Sequence, residues 1–148
     1  MSDFYLAQAL ETDFPAIKAL IYATGINPIS LEWQRFRVAK SVEGHQFIGC
    51  GQLKPHGDGT VELASIAVIP AWRNKGVASA MVQKLMDEGP RPLYLTCVSP
   101  MGSFYEKFGF RPISGAALPK YYRRLSKIAG LINALHLMKE KMLVMQLP

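Results

Sequence analysis

Cysteine is scarce in this sequence, and nothing groups it into a motif. The 148 residues contain two cysteines, Cys50 and Cys97, with neither a CxxC pair nor a cluster of cysteine and histidine. This spacing supports neither a disulfide framework nor a zinc site. Each cysteine lies in a predicted strand among apolar residues, so we expect both to pack in the core and we expect no bound metal.

Long apolar runs are also missing. No stretch approaches the roughly 20 apolar residues that a membrane-spanning helix needs. The N-terminus, MSDFYLAQAL, lacks the basic-then-apolar order of a signal peptide. We therefore expect a cytoplasmic protein without a membrane partner, or a stromal one if a transit peptide was removed upstream.

Two common phosphate-binding loops are absent as well. The sequence contains no GxxxxGK[ST] and no GxGxxG. Gly49-Cys50-Gly51 begins the second pattern, but Lys54 stands where its last glycine belongs. These absences exclude a P-loop and a dinucleotide fingerprint as the source of any phosphate binding.

The composition is that of a basic globular protein. Hydrophobic residues make up 49% of the chain, and 17 lysines and arginines against 11 acidic residues give a formal charge of +6. The length predicts one domain, and the charge favours an anionic partner. The basic residues are scattered rather than massed, which speaks against nucleic acid, but charge alone does not separate that partner from a small anion.

One stretch, Val61 to Glu88, has the clearest local pattern. Val61 to Val68 is apolar and β-branched except at Glu62 and Ser65, which predicts a strand that Pro70 ends. Val77 to Glu88 has apolar residues at helical spacing and predicts a helix. The stretch is therefore a strand, a tight turn and a helix.

The turn between them is suited to an anion. The first turn of a helix leaves backbone N–H groups without intrahelical partners, and the helix dipole adds positive charge there. Gly76 and Ala78 are small, while Arg73 and Lys75 are cationic. The pattern predicts a site for a pyrophosphate. From these residues alone, a strand-to-helix turn that binds nothing remains the alternative.

Two segments resemble a known family. Arg73-x-x-Gly76-x-Ala78, which follows an apolar strand and Pro70, resembles the Q/R-x-x-G-x-G/A acetyl-CoA motif of the GNAT superfamily of N-acetyltransferases. Phe104 to Phe110, FYEKFGF, resembles the FYxKxGF segment of the same family. The order of the other elements also fits, so the resemblance covers nearly the whole chain.

The resemblance implies an activity and a fold. It implies that residues 1–148 form one acyl-CoA N-acyltransferase domain that transfers acetyl from acetyl-CoA to a primary amine by direct attack. The alternative is a non-catalytic acyl-CoA-binding or protein-docking module on the same fold. The expected fold is α+β: a mixed, mostly antiparallel twisted sheet flanked by helices. Its predicted strands are Phe4–Leu10, Phe36–Ser41, His45–Leu53, Val61–Val68, Leu93–Val98, Phe110–Ile113 and Met142–Leu147.

A long helical connection before the last strand departs from the family, which usually has a shorter one. Apolar residues recur at three and four positions across residues 119–140, and Gly130 is a candidate break. The helix could cover the core, form a dimer surface, or line the substrate site. A lipid-surface helix is the less favoured interpretation.

The resemblance also assigns cofactor-binding residues. The pyrophosphate loop is matched by Arg73, Asn74, Lys75, Gly76, Val77, Ala78 and Ser79. The strand end that pairs with the pantetheine arm is matched by Ile66, Ala67 and Val68. Many relatives carry an asparagine after the strand that ends near Val98. Here Ser99 or Ser103 would have to replace it.

Two residues are candidates for catalysis. Tyr105 matches the family tyrosine that protonates departing CoA, although it could instead pack a helix. Glu62 is the candidate general base, and a strand-end carboxylate in solvent is the alternative. His45 and His56 lie at predicted turns and His136 on the late helix, so we expect all three to be solvated. The acceptor, a small-molecule or peptide amine, is not specified by these motifs, and a homodimer is a further possibility.

Overall fold

A computed structural model describes residues 3–134 and 140–148, and of residues 133 and 134 the backbone alone. The strands are β1 Phe4–Gln8, β2 Phe36–Ser41, β3 Phe47–Pro55, β4 Val61–Val68, β5 Leu93–Val98, β6 Arg111–Ile113 and β7 Met142–Leu147. The α-helices are α1 Phe14–Thr24, α2 Val77–Glu88, α3 Gly102–Glu106 and α4 Lys120–Ala134. The predicted strands are present, with ends that differ by a residue or two.

The sheet is mixed and mostly antiparallel. Its strand order is β1-β2-β3-β4-β5-β7-β6. The pairs β1–β2, β2–β3, β5–β7 and β6–β7 are antiparallel, whereas β4 and β5 pair in parallel with Glu62 opposite Tyr94. The predicted α+β class and sheet are thus confirmed. The chain forms two compact units, Met1–Lys54 with Leu63–Glu88, and Pro55–Glu62 with Gly89–Pro148.

The first unit has a core between α1 and the sheet. Ile17, Leu20 and Ile21 lie at helical spacing on one side of α1, and all three are buried. They belong to a cluster with Ala9, which follows β1, and with residues of β2, β3 and β4, namely Phe36, Val38, Cys50 and Ala67. This apolar stripe explains why the segment forms a helix and which side faces the sheet.

Two glycines of β3 allow close packing in the same unit. A Cβ at Gly51 would lie 2.7 Å from Ile66 and from Met81, a residue of α2. A Cβ at Gly49 would lie 2.9 Å from the carbonyl oxygen of Ala67. The Gly-x-Gly pair, which begins a phosphate-loop pattern in the sequence, therefore serves backbone and helix packing.

The second unit is built around α4 and β5–β7. Tyr122 of α4 is fully buried against Tyr94, Leu118 and Val144. Asp58, in the turn between β3 and β4, accepts the backbone N–H of Tyr121 at 2.9 Å. This carboxylate thereby satisfies one of the N–H groups that the first turn of α4 leaves without an intrahelical partner.

The late helix is present, but without the predicted break. α4 begins at Lys120 and continues through Gly130, so the candidate break there is wrong. Tyr122 is buried, but Ile128 and Leu131 are 58% and 65% exposed. The helix therefore covers the core in its first turns and exposes apolar side chains in its later ones. The remainder of the predicted helix, including His136, falls on residues 135–139, outside the described residues.

No helix in the described ranges has the length and apolarity to cross a bilayer.

Substitution of Gly49 tests the packing in the first unit. We expect Gly49→Ala to lower the free energy of unfolding by about 1–3 kcal/mol, because the Cβ meets a backbone oxygen that cannot rotate away. Gly130→Ala is the control, since a Cβ at Gly130 has open space within α4. It should be neutral or stabilise by about 0.5–1 kcal/mol. Urea unfolding measures both, and equal effects would contradict this account of the packing.

Candidate active site

The turn between β4 and α2 has a backbone shape suited to a ligand. After β4 ends at Val68, Pro70–Trp72 forms a 3-10 turn, and α2 begins at Val77. Asn74 and Gly76 have φ angles of +63° and +85°. These left-handed conformations favour glycine and asparagine, which explains these residue types here. A Cβ at Gly76 would meet nothing within 4 Å, so the backbone there is open to solvent.

Cationic groups and helix N–H groups converge on this turn. The Arg73 guanidinium Nε donates to the carbonyl of Val68 at 3.1 Å, so it ties the turn to the strand end. The ammonium of Lys75 lies 5.3 Å from the ring centroid of Trp72. Ala80 N–H donates to Gly76 O, so the N–H groups of the preceding helical residues have no intrahelical acceptor. The arrangement can bind an anion.

All ten predicted cofactor-binding residues therefore lie in the first unit. The turn and first helical turn hold Arg73, Asn74, Lys75, Gly76, Val77, Ala78 and Ser79, and the adjoining strand end holds Ile66, Ala67 and Val68. The backbone through Gly76 is exposed, whereas Val77, Ala67 and Val68 are buried. Buried side chains hold the turn in place and leave its backbone accessible.

A strained residue interrupts β4 just before this strand end. Ser65 has a φ of +60°, which is rare for a non-glycine residue in a strand and typical of a bulge. The Gln52 amide donates to the Ser65 hydroxyl at 2.8 Å and holds this conformation. A left-handed residue at this point interrupts the regular pleat of β4 between Glu62 and Ile66. Sequence reasoning missed it, because a serine in an apolar strand does not identify a bulge.

In the second unit, the Glu62 carboxylate is buried and paired. Glu62 is 8% exposed, which contradicts the solvent-exposed alternative. Its Oε1 lies 2.7 Å from Nε2 of His56, and its Oε2 accepts the Thr96 hydroxyl at 3.3 Å. A buried carboxylate needs such donors, because an unpaired charge is costly in the interior. Glu62 thus combines burial with defined partners.

The expectation that His56 is solvated is wrong. Its ring stacks on Tyr121 with centroids 3.6 Å apart and meets the edge of Tyr122 at 5.9 Å. The turn folds against α4, and this tertiary contact buries the ring. The Asp-Gly turn signal offered a clue, because a hairpin brings residues on either side of the turn together. His45, by contrast, contacts Tyr5 at an exposed position.

Tyr105 lies in α3 and is buried between aromatic rings. Phe104 and Phe110 have centroids 5.0 and 6.2 Å from its ring. Burial, followed by the nearby Cys97 thiol, raises the pKa of Tyr105 to about 12. The phenol therefore stays protonated at neutral pH, as a proton donor must. Tyr105 lies near Cys97, and Glu62 is bonded by Thr96. Since Cys97 follows Thr96 in β5, the two candidate catalytic residues lie beside successive residues of one strand.

A groove beside Tyr121 carries two unpaired cations. Its volume is about 490 Å³, and Gly57, Asp58, Lys120, Tyr121, Arg124, Leu125 and Ile128 line it. Lys120 and Arg124 lie one helical turn apart, and within the described part of the chain neither forms an ion pair. Both oxygens of Asp58 accept hydrogen bonds, from Thr60 and from Tyr121. The two cations are thus left to bind an anionic group.

The described residues offer no cluster of metal ligands. Among the residues that the structure describes, no group of three histidine, cysteine, aspartate or glutamate side chains could hold a metal ion. The candidate chemistry therefore rests on the anion-binding turn, the His56–Glu62 pair and Tyr105.

Comparison with known proteins gives a family match. The sequence profile of the Acetyltransferase (GNAT) domain matches residues 32–112, more than half of the chain. This range includes β2 to β5, the anion-binding turn and Tyr105. No curated protein matches the sequence significantly.

Solved structures share the fold. The N-acetylglutamate synthase from Neisseria gonorrhoeae, complexed with coenzyme A and N-acetyl-glutamate, has a TM-score of 0.74 and 21% identity, and the match covers all of this chain and 36% of that one. Rv2747 from Mycobacterium tuberculosis, in complex with CoA, has a TM-score of 0.70 and 23% identity over 95% of this chain and 97% of that one. The ribosomal-protein-S18-alanine N-acetyltransferase from Escherichia coli has a TM-score of 0.63 and 17% identity over 98% of this chain and 93% of that one.

The raised pKa values of the Cys50 thiol and the Tyr105 phenol predict how stability depends on pH. Burial raises the pKa of Cys50 from 9.0, and of Tyr105 from 10.0, to about 12 in each case. The unfolded chain releases these protons at lower pH than the folded chain does. The free energy of unfolding should therefore be fully retained below about pH 9 and fall as the pH rises towards 12.

Urea unfolding at pH 8 and pH 10.5 measures this loss. Tyr105→Phe should make this loss of unfolding free energy smaller, because the phenol that resists ionisation is gone. Tyr22→Phe, at an exposed position, should leave it unchanged. Equal losses in wild type and Tyr105→Phe would contradict the assignment to Tyr105.

Proposed function

This chain belongs to the acetyltransferase (GNAT) family, and on that basis we propose that it transfers an acetyl group from acetyl-CoA to a primary amine by direct attack. The observation that carries the proposal is the turn from Arg73 to Ser79, where open backbone, cationic side chains and a helix N-terminus meet. The solved relative from N. gonorrhoeae, which was complexed with coenzyme A, supports this choice of anion.

CoA binding divides between two short segments. The pyrophosphate binds the N–H groups and cations of residues 73–79, because helix N-termini favour phosphate. The pantetheine arm lies along the backbone of Ile66, Ala67 and Val68 in the manner of an added strand. The bulge at Ser65 supports this role, since bulges end regular pairing and redirect a strand.

The reaction needs a base and an acid. Glu62 takes a proton from the ammonium of the acceptor, and the free amine attacks the thioester carbon. The new C–N bond forms, the C–S bond breaks, and Tyr105 donates its phenolic proton to the departing thiolate. The nitrogen then releases its second proton, which leaves a neutral amide and restores the phenol of Tyr105. The burial of both side chains supports these assignments, because it removes competing water from the transferring groups.

The acceptor carries an anionic group close to its amine. Lys120 and Arg124 support this part of the proposal, since they line the groove beside Tyr121 without an acidic partner among the described residues. Tyr121 also stacks on His56, which bonds Glu62, so the groove adjoins the proposed base. An amino acid or an acidic peptide N-terminus fits this chemistry.

Other parts of the proposal concern partners and organisation. We expect neither a nucleic acid nor a membrane partner, and a cytoplasmic location stays a prediction. A homodimer also stays a prediction, and the exposed Ile128 and Leu131 of α4 are its candidate contact. That residues 1–148 act as one domain is likewise proposed.

Calorimetry with acetyl-CoA tests the cofactor assignment. We expect a micromolar Kd for the wild type. Lys75→Glu should weaken binding by about tenfold or more, because it places a negative charge where the pyrophosphate binds. Lys84→Glu makes the same change in net charge at an exposed position far along α2, and should bind normally. No binding by the wild type at high micromolar acetyl-CoA would overturn the proposal.

An amine panel tests the transfer step. With acetyl-CoA, we expect CoA release to be faster with L-glutamate or an acidic peptide than with spermidine. Arg124→Gln should narrow that difference by raising KM for the acidic amines. Binding of acetyl-CoA without CoA release across the panel would instead favour a non-catalytic acyl-CoA-binding module.

Removal of one hydroxyl tests the proposed acid. Tyr105→Phe should lower kcat by about 100-fold, because the thiolate would leave without a proton. The Kd for acetyl-CoA should stay within about twofold, since the phenol is not assigned to CoA binding. Tyr5→Phe, at a surface contact with His45, should behave as wild type. Unchanged turnover in Tyr105→Phe would remove this residue from the mechanism.

A further inference from the structure

We propose that His56 is a positioning residue for Glu62, which it holds in place for proton transfer from the acceptor amine. This inference rests on the proposed function, because it gives the base a partner. The family match does not assign a role to His56.

The first support is the geometry of the pair. His56 Nε2 lies 2.7 Å from Glu62 Oε1, and the two side chains are 6% and 11% exposed. At this distance Nε2–H donates to the carboxylate, and this fixes which ring nitrogen carries the proton. Thr96 donates to the other oxygen. Each carboxylate oxygen thus has one donor and keeps a lone pair for the ammonium proton.

The second support is the packing that immobilises the imidazole. Tyr121 covers one face of the ring with an interplanar angle of 14°, and Tyr122 stands edge-on at 85°. The backbone of His56 is held on both sides, because its N–H donates to Thr60 and its carbonyl accepts from Gly59. A ring held in this way cannot turn away from the carboxylate, so it can define where Glu62 points.

The third support is the charge around the pair. The titratable groups near it are Asp58 from its own turn, Tyr121 and Tyr122 from α4, and Tyr94, which lies opposite Glu62 in the register of β4 and β5. Burial, then the charge of Glu62, raises the pKa of Tyr121 and of Tyr122, so these phenols are neutral near pH 7. The charged side chains nearby are Asp58 and, in the groove beside Tyr121, Lys120 and Arg124 of α4. The imidazole N–H of His56, 2.7 Å from Oε1, is therefore the donor that faces the negative charge of Glu62 within the pair.

The role in the reaction follows from these contacts. The ammonium proton of the acceptor moves to a free lone pair of Glu62, while the N–H of His56 keeps Oε1 occupied. Without His56 the carboxylate would lose its shortest hydrogen bond and could rotate about its side-chain torsions. Proton transfer would then be slower, although the binding of acetyl-CoA would not change.

Two substitutions separate positioning from simple packing. His56→Ala should lower kcat by about 10- to 100-fold, with the Kd for acetyl-CoA within about twofold of wild type. His56→Gln keeps an N–H donor and should recover most of the lost kcat.

His45→Ala is the matched control. His45 is an exposed histidine whose ring bonds Tyr5, and its removal should leave kcat and the pH profile unchanged. Long-range ¹H–¹⁵N spectra give a readout that needs no acceptor, since the chain has three histidines. They should show a proton on Nε2 of His56, and Glu62→Gln should shift that resonance.

The outcomes distinguish this inference from the proposed function. A wild type that releases no CoA with L-glutamate, an acidic peptide or spermidine would overturn the proposed function and this inference with it. An active wild type with His56→Ala at full kcat would overturn the inference alone. So would equal losses of kcat in His56→Ala and His56→Gln, because a purely structural role predicts that result.

Discussion

A carboxylate buried in a sheet has to be paired, and the second unit is arranged around that constraint. Glu62 stands on β4 with almost no solvent contact, so its charge needs donors within the protein. His56 and Thr96 supply them from the preceding turn and from β5. The imidazole in turn requires an apolar cover, which the paired tyrosines of α4 provide. A single buried charge thus links a turn, two strands and a helix.

The first unit meets a different requirement, which is to hold an open backbone on a rigid support. The turn after β4 keeps its peptide groups exposed at Gly76, where a side chain would meet no protein atom. The turn is supported by the packing of the helix that follows it. Val77 is buried, and β3 approaches α2 closely because Gly49 and Gly51 lack side chains. The position of this turn therefore depends on glycines in a neighbouring strand.

Local patterns predicted the elements well, and they failed where a contact joins distant segments. The strand, turn and helix from Val61 to Glu88 follow from apolar spacing, Pro70 and a glycine with positive φ. Gly130 was a candidate break because glycine weakens isolated helices, but α4 continues through it. His56 was expected in solvent because it lies in a turn, yet α4, far along the chain, covers it. The bulge at Ser65 depends on a hydrogen bond from Gln52 that no local pattern contains.

The sequence by itself determined the family motifs, the order of the strands and helices and the position of the anion-binding turn. These features depend on residues close together in the chain, whose spacing matches the period of a strand or a helix. The tertiary structure alone decided that Glu62 is buried, that His56 is its partner, and that Tyr121 and Tyr122 enclose the ring. Pairing and burial depend on side chains that meet only when separate segments pack, and sequence spacing does not encode those distances.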